Sequence, residues 1–155
     1  MKSTSSGPCA LPDATAEPWA ALLVAARTAA GRAYAPYSGF HVGAALRARS
    51  GQVYSGCNVE CGALPSGGCA ERAAIAAAVL AEGAAFRLEA LAVVAFSADN
   101  SVLAVAPCGA CRQALIEFGA DAQIAFQGAQ SEVTIVPLSA LLPHSFELPV
   151  AGAER

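Results

Sequence analysis

Apolar residues recur with a helical period in three parts of the chain. The predicted helices span 17–33, 69–82 and 107–118, and 138–142 has room for one further turn. In the first helix, Trp19, Leu22, Leu23 and Ala26 form a single stripe. A glycine stands at or next to the end of each helix, as is typical of helix C-termini. The pattern therefore predicts three helices, each with one buried face.

Runs of apolar or alternating residues between these helices predict five strands. They span 40–48, 52–57, 88–96, 123–126 and 132–136. The 88–96 run is almost wholly apolar, which suits a strand buried on both faces. Residues 101–105 are interpreted as a short strand or a loop. The order helix, two strands, helix, strand, helix, strand, strand predicts an α/β fold with helices layered on a sheet.

The length of 155 residues is the usual size of one compact domain. Ser, Pro and Thr are frequent in residues 1–16, and we expect a flexible leader there. We expect a single domain over 17–146 and a C-terminal tail over 147–155.

Composition and charge exclude several classes of function. Only 14% of the residues are charged and 55% are hydrophobic, which is not the composition of a disordered chain. The nine basic residues are scattered, so no stripe follows a nucleic-acid backbone and no nucleic-acid partner is expected. No apolar run reaches the length of a membrane span. Six cysteines without a secretory signal indicate thiol or metal chemistry and a cytoplasmic location.

Two short motifs at predicted helix starts carry the candidate chemistry. Cys69-x-Glu71 opens the second helix, and Cys108-x-x-Cys111 opens the third. Because residues three apart share one helix face, Cys108 and Cys111 present their sulfurs together. If the two helix starts converge, three thiolates meet at one point. Such a set suits tetrahedral zinc with a fourth position open to water, which is typical of catalytic zinc sites.

The residues beside these cysteines fit acid–base chemistry. Glu71 stands in the first helical turn, where its carboxylate can take a proton from zinc-bound water and pass it on. Arg72 is a candidate for hydrogen bonds to the thiolates, which would withdraw part of their charge. Plainer interpretations remain open: a redox Cys-x-x-Cys pair, buried free thiols, a first-turn acid favoured by the helix dipole, and a solvated arginine.

The same strings resemble the zinc-dependent cytidine deaminase family, in particular its small homotetrameric branch with three cysteine ligands. They are Cys-Ala-Glu-Arg from Cys69 and Pro-Cys-Gly-Ala-Cys-Arg-Gln from Pro107. The resemblance extends over about 34–146 and includes 35–46, 56–60 and 141–146. It implies a three-layer cytidine-deaminase-like fold, with a mixed five-stranded sheet flanked by helices.

The resemblance also implies a role for each matching residue. Zinc would be bound by Cys69, Cys108 and Cys111, with Glu71 as the catalytic proton shuttle and Arg72 behind the ligands. The substrate-binding residues would be Phe40 on the pyrimidine ring, Asn58 and Glu60 on the ribose hydroxyls, the Ala70 N–H near the base carbonyl, and Phe146 in a neighbouring subunit's pocket. The implied reaction is attack of zinc hydroxide on C4 of cytosine, protonation at N3, and loss of ammonia. It would convert cytidine and 2′-deoxycytidine in pyrimidine salvage, in a homotetramer that binds a small nucleoside.

One stretch departs from the family's pattern. Family members commonly read Asn-Ile-Glu-Asn-Ala-x-Tyr after the strand, whereas this chain reads Asn-Val-Glu-Cys-Gly-Ala-Leu over 58–64. Leu64 replaces the usual pocket tyrosine, Cys61 is unusual there, and Gly68 stands where apolar residues are common. A modified aminopyrimidine nucleoside of the blasticidin S type is therefore a second hypothesis for the substrate, and a non-catalytic zinc module is a third hypothesis for the function. Cys57 is expected to be a core thiol and Cys61 a spare one near the pocket, and Cys9 has no assigned role.

Overall fold

A mixed sheet forms the centre of the molecule. Its strands are β1 His41–Ala48, β2 Val53–Cys57, β3 Leu88–Phe96, β4 Val102–Leu103, β5 Gln123–Gln127 and β6 Val133–Pro137. Five of them lie in the order β2-β1-β3-β5-β6, and β4 pairs with the end of β3. The β3–β5 pair is parallel and the other pairs are antiparallel. The expected mixed sheet is confirmed, but it has six strands rather than five. The two residues of β4 are too few for alternation to separate a strand from a loop.

Four helices accompany the sheet: α1 Trp19–Ala30, α2 Ala70–Glu82, α3 Gly109–Ile116 and α4 Leu138–Leu141. The computed structural model describes residues 19–128 and 132–148, so the expected leader 1–16, Cys9 and residues 149–155 of the expected tail lie outside it. Cys69 and Cys108 have extended backbone dihedrals as the N-cap residues, so α2 and α3 begin one residue after them. No helix in the described ranges is both long and apolar enough to cross a membrane.

The two faces of the sheet carry separate cores, which makes the fold three-layered. Alternate residues of β3 point to opposite faces, because strand side chains alternate with a period of two. Leu91, Val93 and Ala95 pack toward α2, α3 and α4, while Ala90, Ala92, Val94 and Phe96 pack toward α1. All but one residue of β3 is buried, as its apolar run predicts. The sheet is therefore covered by α1 on one face and by the helices that carry the cysteines on the other.

Two glycines allow the helices to approach the sheet closely. A Cβ atom added to Gly43 would lie 2.0 Å from the Ala26 carbonyl oxygen of α1. One added to Gly56 would lie 2.5 Å from the Ala70 carbonyl oxygen and 2.4 Å from the Ala74 nitrogen of α2. Since both neighbours are backbone, a side chain at either glycine would force a helix away from the sheet. Gly56 thereby sets the position of the first turn of α2.

Candidate active site

Three cysteine sulfurs converge where α2 and α3 begin. The Sγ atoms of Cys69, Cys108 and Cys111 all lie within 4.8 Å of one another, and Cys69 and Cys108 are 4.0 Å apart. Two of the three are N-cap residues, and Cys111 is buried in the first turn of α3. The two helix starts therefore meet, which is the condition on which the predicted metal site depends.

The donor set fits a zinc ion. A tetrahedral zinc with thiolate ligands at about 2.3 Å holds their sulfurs about 3.8 Å apart, close to the spacing seen here. Three thiol donors leave one coordination position free, and both Cys69 and Cys108 line a pocket that opens to solvent. Within 19–128 and 132–148, no second group of three or more His, Cys, Asp or Glu side chains could hold a metal.

Two of the three thiols resist ionisation when no cation balances them, whereas the third ionises more readily. Burial raises the pKa of Cys69 and of Cys111, and the nearby Glu71 carboxylate raises both further. The pKa of Cys108 moves the other way: burial opposes the shift, but hydrogen bonds from the Cys111 backbone, the Cys111 thiol and the Cys69 thiol lower it. A divalent cation removes the repulsion among the thiolates, so metal binding at this cluster must release protons.

Glu71 is a carboxylic acid held in a nearly dry place beside the sulfurs. Its side chain is 4% exposed, and it is the one buried charged residue in the described core. Burial raises its pKa, against hydrogen bonds from its own backbone and from Cys111 that lower it. A carboxyl whose pKa is moved toward neutrality is suited to exchange protons with a reacting group.

Two of the three cysteines, Cys69 and Cys108, line a pocket of about 250 Å³ together with Glu71. Four of the five residues expected to bind substrate line it, namely Phe40, Asn58, Glu60 and Ala70. Val42, Val59, Gly67, Gly68, Val105 and Ala106 complete the apolar part of the wall. The lining contains two carboxylates and no arginine or lysine.

Comparison with known proteins identifies the family. A family model of the cytidine and deoxycytidylate deaminase zinc-binding region matches residues 18–127. The chain belongs to this deaminase family. A protein of Sporosarcina psychrophila named cytidine deaminase is 39% identical over 126 residues, which are 81% of this chain and 88% of that one. A Mycobacterium tuberculosis protein of the same name is 39% identical over 137 residues, 88% of this chain and 96% of that one.

A solved structure agrees with the sequence matches. The crystal structure of cytidine deaminase from Burkholderia pseudomallei matches with a TM-score of 0.71 at 40% identity, covering 82% of this chain and 98% of that chain. The expected family, the α/β deaminase fold, the hydrolase class and the zinc cofactor are thereby confirmed. A zinc module without enzymatic activity, the third hypothesis, is not what the family indicates.

Asn58 of this deaminase lies at the pocket but is also engaged in holding β1. Its Oδ1 accepts the Val42 N–H at 2.8 Å, and its Nδ2 donates to the Phe40 carbonyl oxygen at 2.8 Å. Its backbone N–H donates to the Val42 carbonyl oxygen at 3.1 Å. The side chain therefore fixes the start of β1 next to Phe40, and one of its two amide hydrogens is not used by these bonds.

Glu60 is oriented by a loop that received no role in the sequence analysis. Its Oε2 accepts the backbone N–H groups of Tyr37 at 2.9 Å and Ser38 at 3.3 Å, and its Oε1 accepts the Ser38 hydroxyl. The Ser38 hydroxyl oxygen in turn accepts the Phe40 N–H at 3.0 Å. These bonds, that of the hydroxyl foremost, hold the pKa of Glu60 below its ordinary value. In the sequence, the Pro-Tyr-Ser-Gly string over 36–39 indicates a turn. It does not indicate that this turn binds Glu60, which lies 22 residues after Ser38.

The two arginines that follow the cysteines differ in their surroundings. Arg72 is exposed, and within the described part of the chain its side chain makes no hydrogen bond or ion pair. Arg112, which follows Cys111, is half-buried and donates to two backbone carbonyl oxygens. The prediction that Arg72 donates hydrogen bonds to the thiolates rests on its position beside Glu71, and the sequence predicts no separate role for Arg112.

Phe146 lies away from the pocket of its own chain. Its ring is 63% exposed, and its carbonyl oxygen accepts a hydrogen bond from Gln113 at 2.8 Å.

Cys57 and Cys61 are half-buried thiols that donate to carbonyl oxygens of Arg32 and Ala63, at 3.6 Å and 3.1 Å.

Proposed function

We propose that this enzyme hydrolyses cytidine and 2′-deoxycytidine to uridine or deoxyuridine and ammonia. One observation carries the proposal: three thiols converge beside a buried carboxyl, and this cluster adjoins a pocket that Asn58 and Glu60 also line. The relatives named cytidine deaminase, at 39% identity over most of both chains, support the same substrate.

Cys69, Cys108 and Cys111 would hold the zinc ion. When bound, zinc supplies Lewis acidity that makes a water molecule a nucleophile near neutral pH. Glu71 would accept the proton that the water loses as its oxygen bonds to C4, and then deliver a proton to N3. As the bond from C4 to the amino nitrogen breaks, the second proton of the former water passes from the C4 oxygen to the leaving group, so that a carbonyl forms at C4 and ammonia departs. Water and cytidine are thus consumed, and uridine and ammonia are formed.

The remaining pocket residues would bind and orient the nucleoside. The Ala70 N–H, at the first turn of α2, would donate to the base carbonyl, and Phe40 would pack on the ring. Asn58 and Glu60 would bind the sugar hydroxyls. Because the lining offers two carboxylates and no cationic side chain, it favours a neutral nucleoside over a phosphorylated nucleotide.

A second candidate substrate is favoured by one specific feature of the wall. Gly67 and Gly68 line the pocket, and a Cβ atom added at Gly68 would meet no atom within 4 Å. The space beside Gly68 would admit a substituent larger than those of cytidine. Deamination of a modified aminopyrimidine nucleoside, such as blasticidin S, is therefore the alternative to be tested beside cytidine.

Ammonia release from four compounds tests both candidates. We expect turnover of cytidine and deoxycytidine, and much slower turnover of free cytosine, which lacks the groups that Asn58 and Glu60 would bind. Dialysis against a chelator is expected to lower the rate at least about 100-fold, and added zinc to restore it, since a metal site without its ion loses its main electrophile. Turnover of blasticidin S alone would favour the second candidate. Activity that survives complete zinc removal would contradict the proposed mechanism.

Replacing Ser38 by alanine tests the sugar-binding role of Glu60. The change removes the hydroxyl that orients the carboxylate, and we expect the KM for cytidine to rise about three- to tenfold, because one such hydrogen bond contributes about 0.5–1.5 kcal/mol. The pKa of Glu60 should rise, so the fall of kcat/KM on the acid side should begin at a higher pH.

Steady-state kinetics from acid to neutral pH measure both effects. Ser50→Ala is the matched control, because the Ser50 hydroxyl binds Glu82 at 2.5 Å on the far hairpin turn. An unchanged KM and an unchanged acid limb in Ser38→Ala would show that Glu60 does not act on the substrate.

We infer further that the enzyme works in pyrimidine salvage, in the cytoplasm, as a homotetramer. The five cysteines in the described ranges are all free, which supports a reducing compartment. The exposed ring of Phe146 supports its expected entry into the pocket of a neighbouring subunit. Sedimentation velocity is expected to give four times the chain mass of 15.5 kDa, and a stable monomer with full activity would contradict this assembly.

A further inference from the structure

The beginning of α3 and the segment after β6 are joined by a single side chain. The Arg112 Nε donates to the Pro107 carbonyl oxygen at 2.7 Å, and its Nη1 donates to the Leu141 carbonyl oxygen at 2.9 Å. Pro107 directly precedes Cys108, and Leu141 is the last residue of α4. One guanidinium therefore ties the backbone that presents a metal-binding thiol to a separate helix 29 residues further on.

The N-cap position of α3 is occupied by a thiol of the cluster. Cys108 is that N-cap residue, and its sulfur lies 4.0 Å from the sulfur of Cys69. Pro107 is fully buried, so water does not replace a partner for its carbonyl oxygen. The bond from Arg112 is thus the side-chain contact that holds the residue before Cys108.

The shape of the arginine side chain matters for this contact. A planar guanidinium offers several donors in a rigid fork, so it reaches two carbonyl oxygens at once in one fixed orientation. A lysine ammonium is a point charge on a flexible stem and does not reproduce that fork. The far end, at Leu141, accepts at a helix C-terminus, where carbonyl oxygens have no partner within the helix.

We propose that Arg112 is a positioning residue that fixes the Pro107–Cys108 backbone and so the geometry and affinity of the metal site. The inference rests on the proposed role of Cys108 as a zinc ligand. Arg112 does not line the pocket, and its side-chain hydrogen bonds go to backbone carbonyl oxygens, so it acts through the backbone that carries Cys108. This role differs from the one predicted for Arg72, which is to donate hydrogen bonds to the thiolates themselves.

Zinc affinity and a cobalt spectrum test the proposal without measuring activity. Arg112→Met removes both hydrogen bonds while keeping most of the apolar stem. We expect its zinc affinity, from competition with a chromogenic chelator, to fall at least about tenfold, as for other groups that orient metal ligands. The d–d absorption bands of the cobalt-substituted protein should shift relative to the parent, because they report the ligand geometry.

Two matched variants separate this effect from general ones. Arg49→Met removes an exposed arginine that pairs with Asp121 far from the site, and it should leave zinc affinity and spectrum unchanged. Gln113→Leu removes the neighbouring bond from α3 to the Phe146 carbonyl and leaves the Pro107 contact in place. It should keep the parent's zinc affinity. An equal loss in Gln113→Leu would overturn the proposal, because anchoring of the C-terminal segment would then be the cause.

Parent-like zinc affinity and cobalt bands in Arg112→Met would also overturn it. If that variant does not fold, Arg112→Lys decides. A weakened affinity in the lysine variant supports the proposal, and parent-like affinity refutes it. The parent protein separates this inference from the proposed function. If the parent neither binds zinc at the thiols nor deaminates cytidine, the proposed function is wrong. If the parent binds zinc and is active but the Arg112 variants are unaffected, only the positioning role is refuted.

Discussion

Deamination falls about 100- to 10,000-fold when Glu71 is replaced by glutamine, while zinc stays bound: this is the expected result for a proton shuttle. The carboxamide fills the same volume but neither accepts the proton that water loses nor delivers one to N3. The three thiols are unchanged, so the metal content should be that of the parent. The rate of ammonia release and the zinc content, measured on the same preparation, decide whether Glu71 acts as the proton shuttle.

The stability of this variant adds an independent readout. Burial raises the pKa of Glu71, so in the zinc-free protein the ionised carboxylate destabilises the folded state at pH values above its ordinary pKa. Glutamine has no charge to bury, and the melting temperature of the zinc-free variant should equal or exceed that of the parent at neutral pH. Lost activity in a protein that melts no earlier is then not caused by unfolding.

Glu117→Gln is the control for the chemistry. Glu117 is exposed at the end of α3, away from the pocket, and its replacement should leave the rate within about twofold. Activity of Glu71→Gln within the same range would remove Glu71 from the mechanism. Loss of zinc together with activity would instead show that the carboxylate supports the metal site.

Gly56→Ala is expected to lower the free energy of unfolding by roughly 3 kcal/mol, at the upper end of the range for overpacking. The new methyl group would stand 2.4 Å from the Ala74 nitrogen and 2.5 Å from the Ala70 carbonyl oxygen, and both are backbone atoms of one helix. The strain must move the first turn of α2, which carries Glu71. We therefore expect kcat to fall together with stability.

Gly31→Ala is the matched control for this glycine. A Cβ atom there would meet only the Thr28 carbonyl oxygen, at an ordinary contact distance of 3.5 Å. Its free energy of unfolding should stay within about 1 kcal/mol of the parent. Urea unfolding at one fixed protein concentration measures both variants, because assembly makes apparent stability depend on concentration. Equal stability of Gly56→Ala and Gly31→Ala would contradict the close approach of α2 to β2.

Local patterns in the sequence were sufficient to predict most of the helices and strands and to select the cysteines and the glutamate of the candidate site. The apolar run of β3 has the predicted bounds Leu88–Phe96, and α2 begins one residue after Cys69. Period and turn residues are local properties, so a single chain displays them without any tertiary information. The spacing Cys108-x-x-Cys111 likewise places two sulfurs on one helix end whatever surrounds them.

Such local patterns could not predict which distant segments of the chain contact each other. Short β4 is a strand only because the end of β3 is there to bind it. Ser38 orients Glu60 only because two loops meet, and Arg112 rather than Arg72 contacts the backbone near a cysteine because α4 packs beside α3. Each of these contacts joins residues whose separation along the chain carries no periodic signal.

The amino-acid sequence by itself determined the helices and five of the six strands, the three thiols, the acid beside them and the family to which they belong. Tertiary structure decided that the two helix starts meet, that Glu71 is buried there, and which side chains hold the loops of the site. The reason is physical: propensity and motif spacing act over a few residues, whereas convergence depends on the β3–β5 crossover and on close helix–sheet contacts such as that at Gly56.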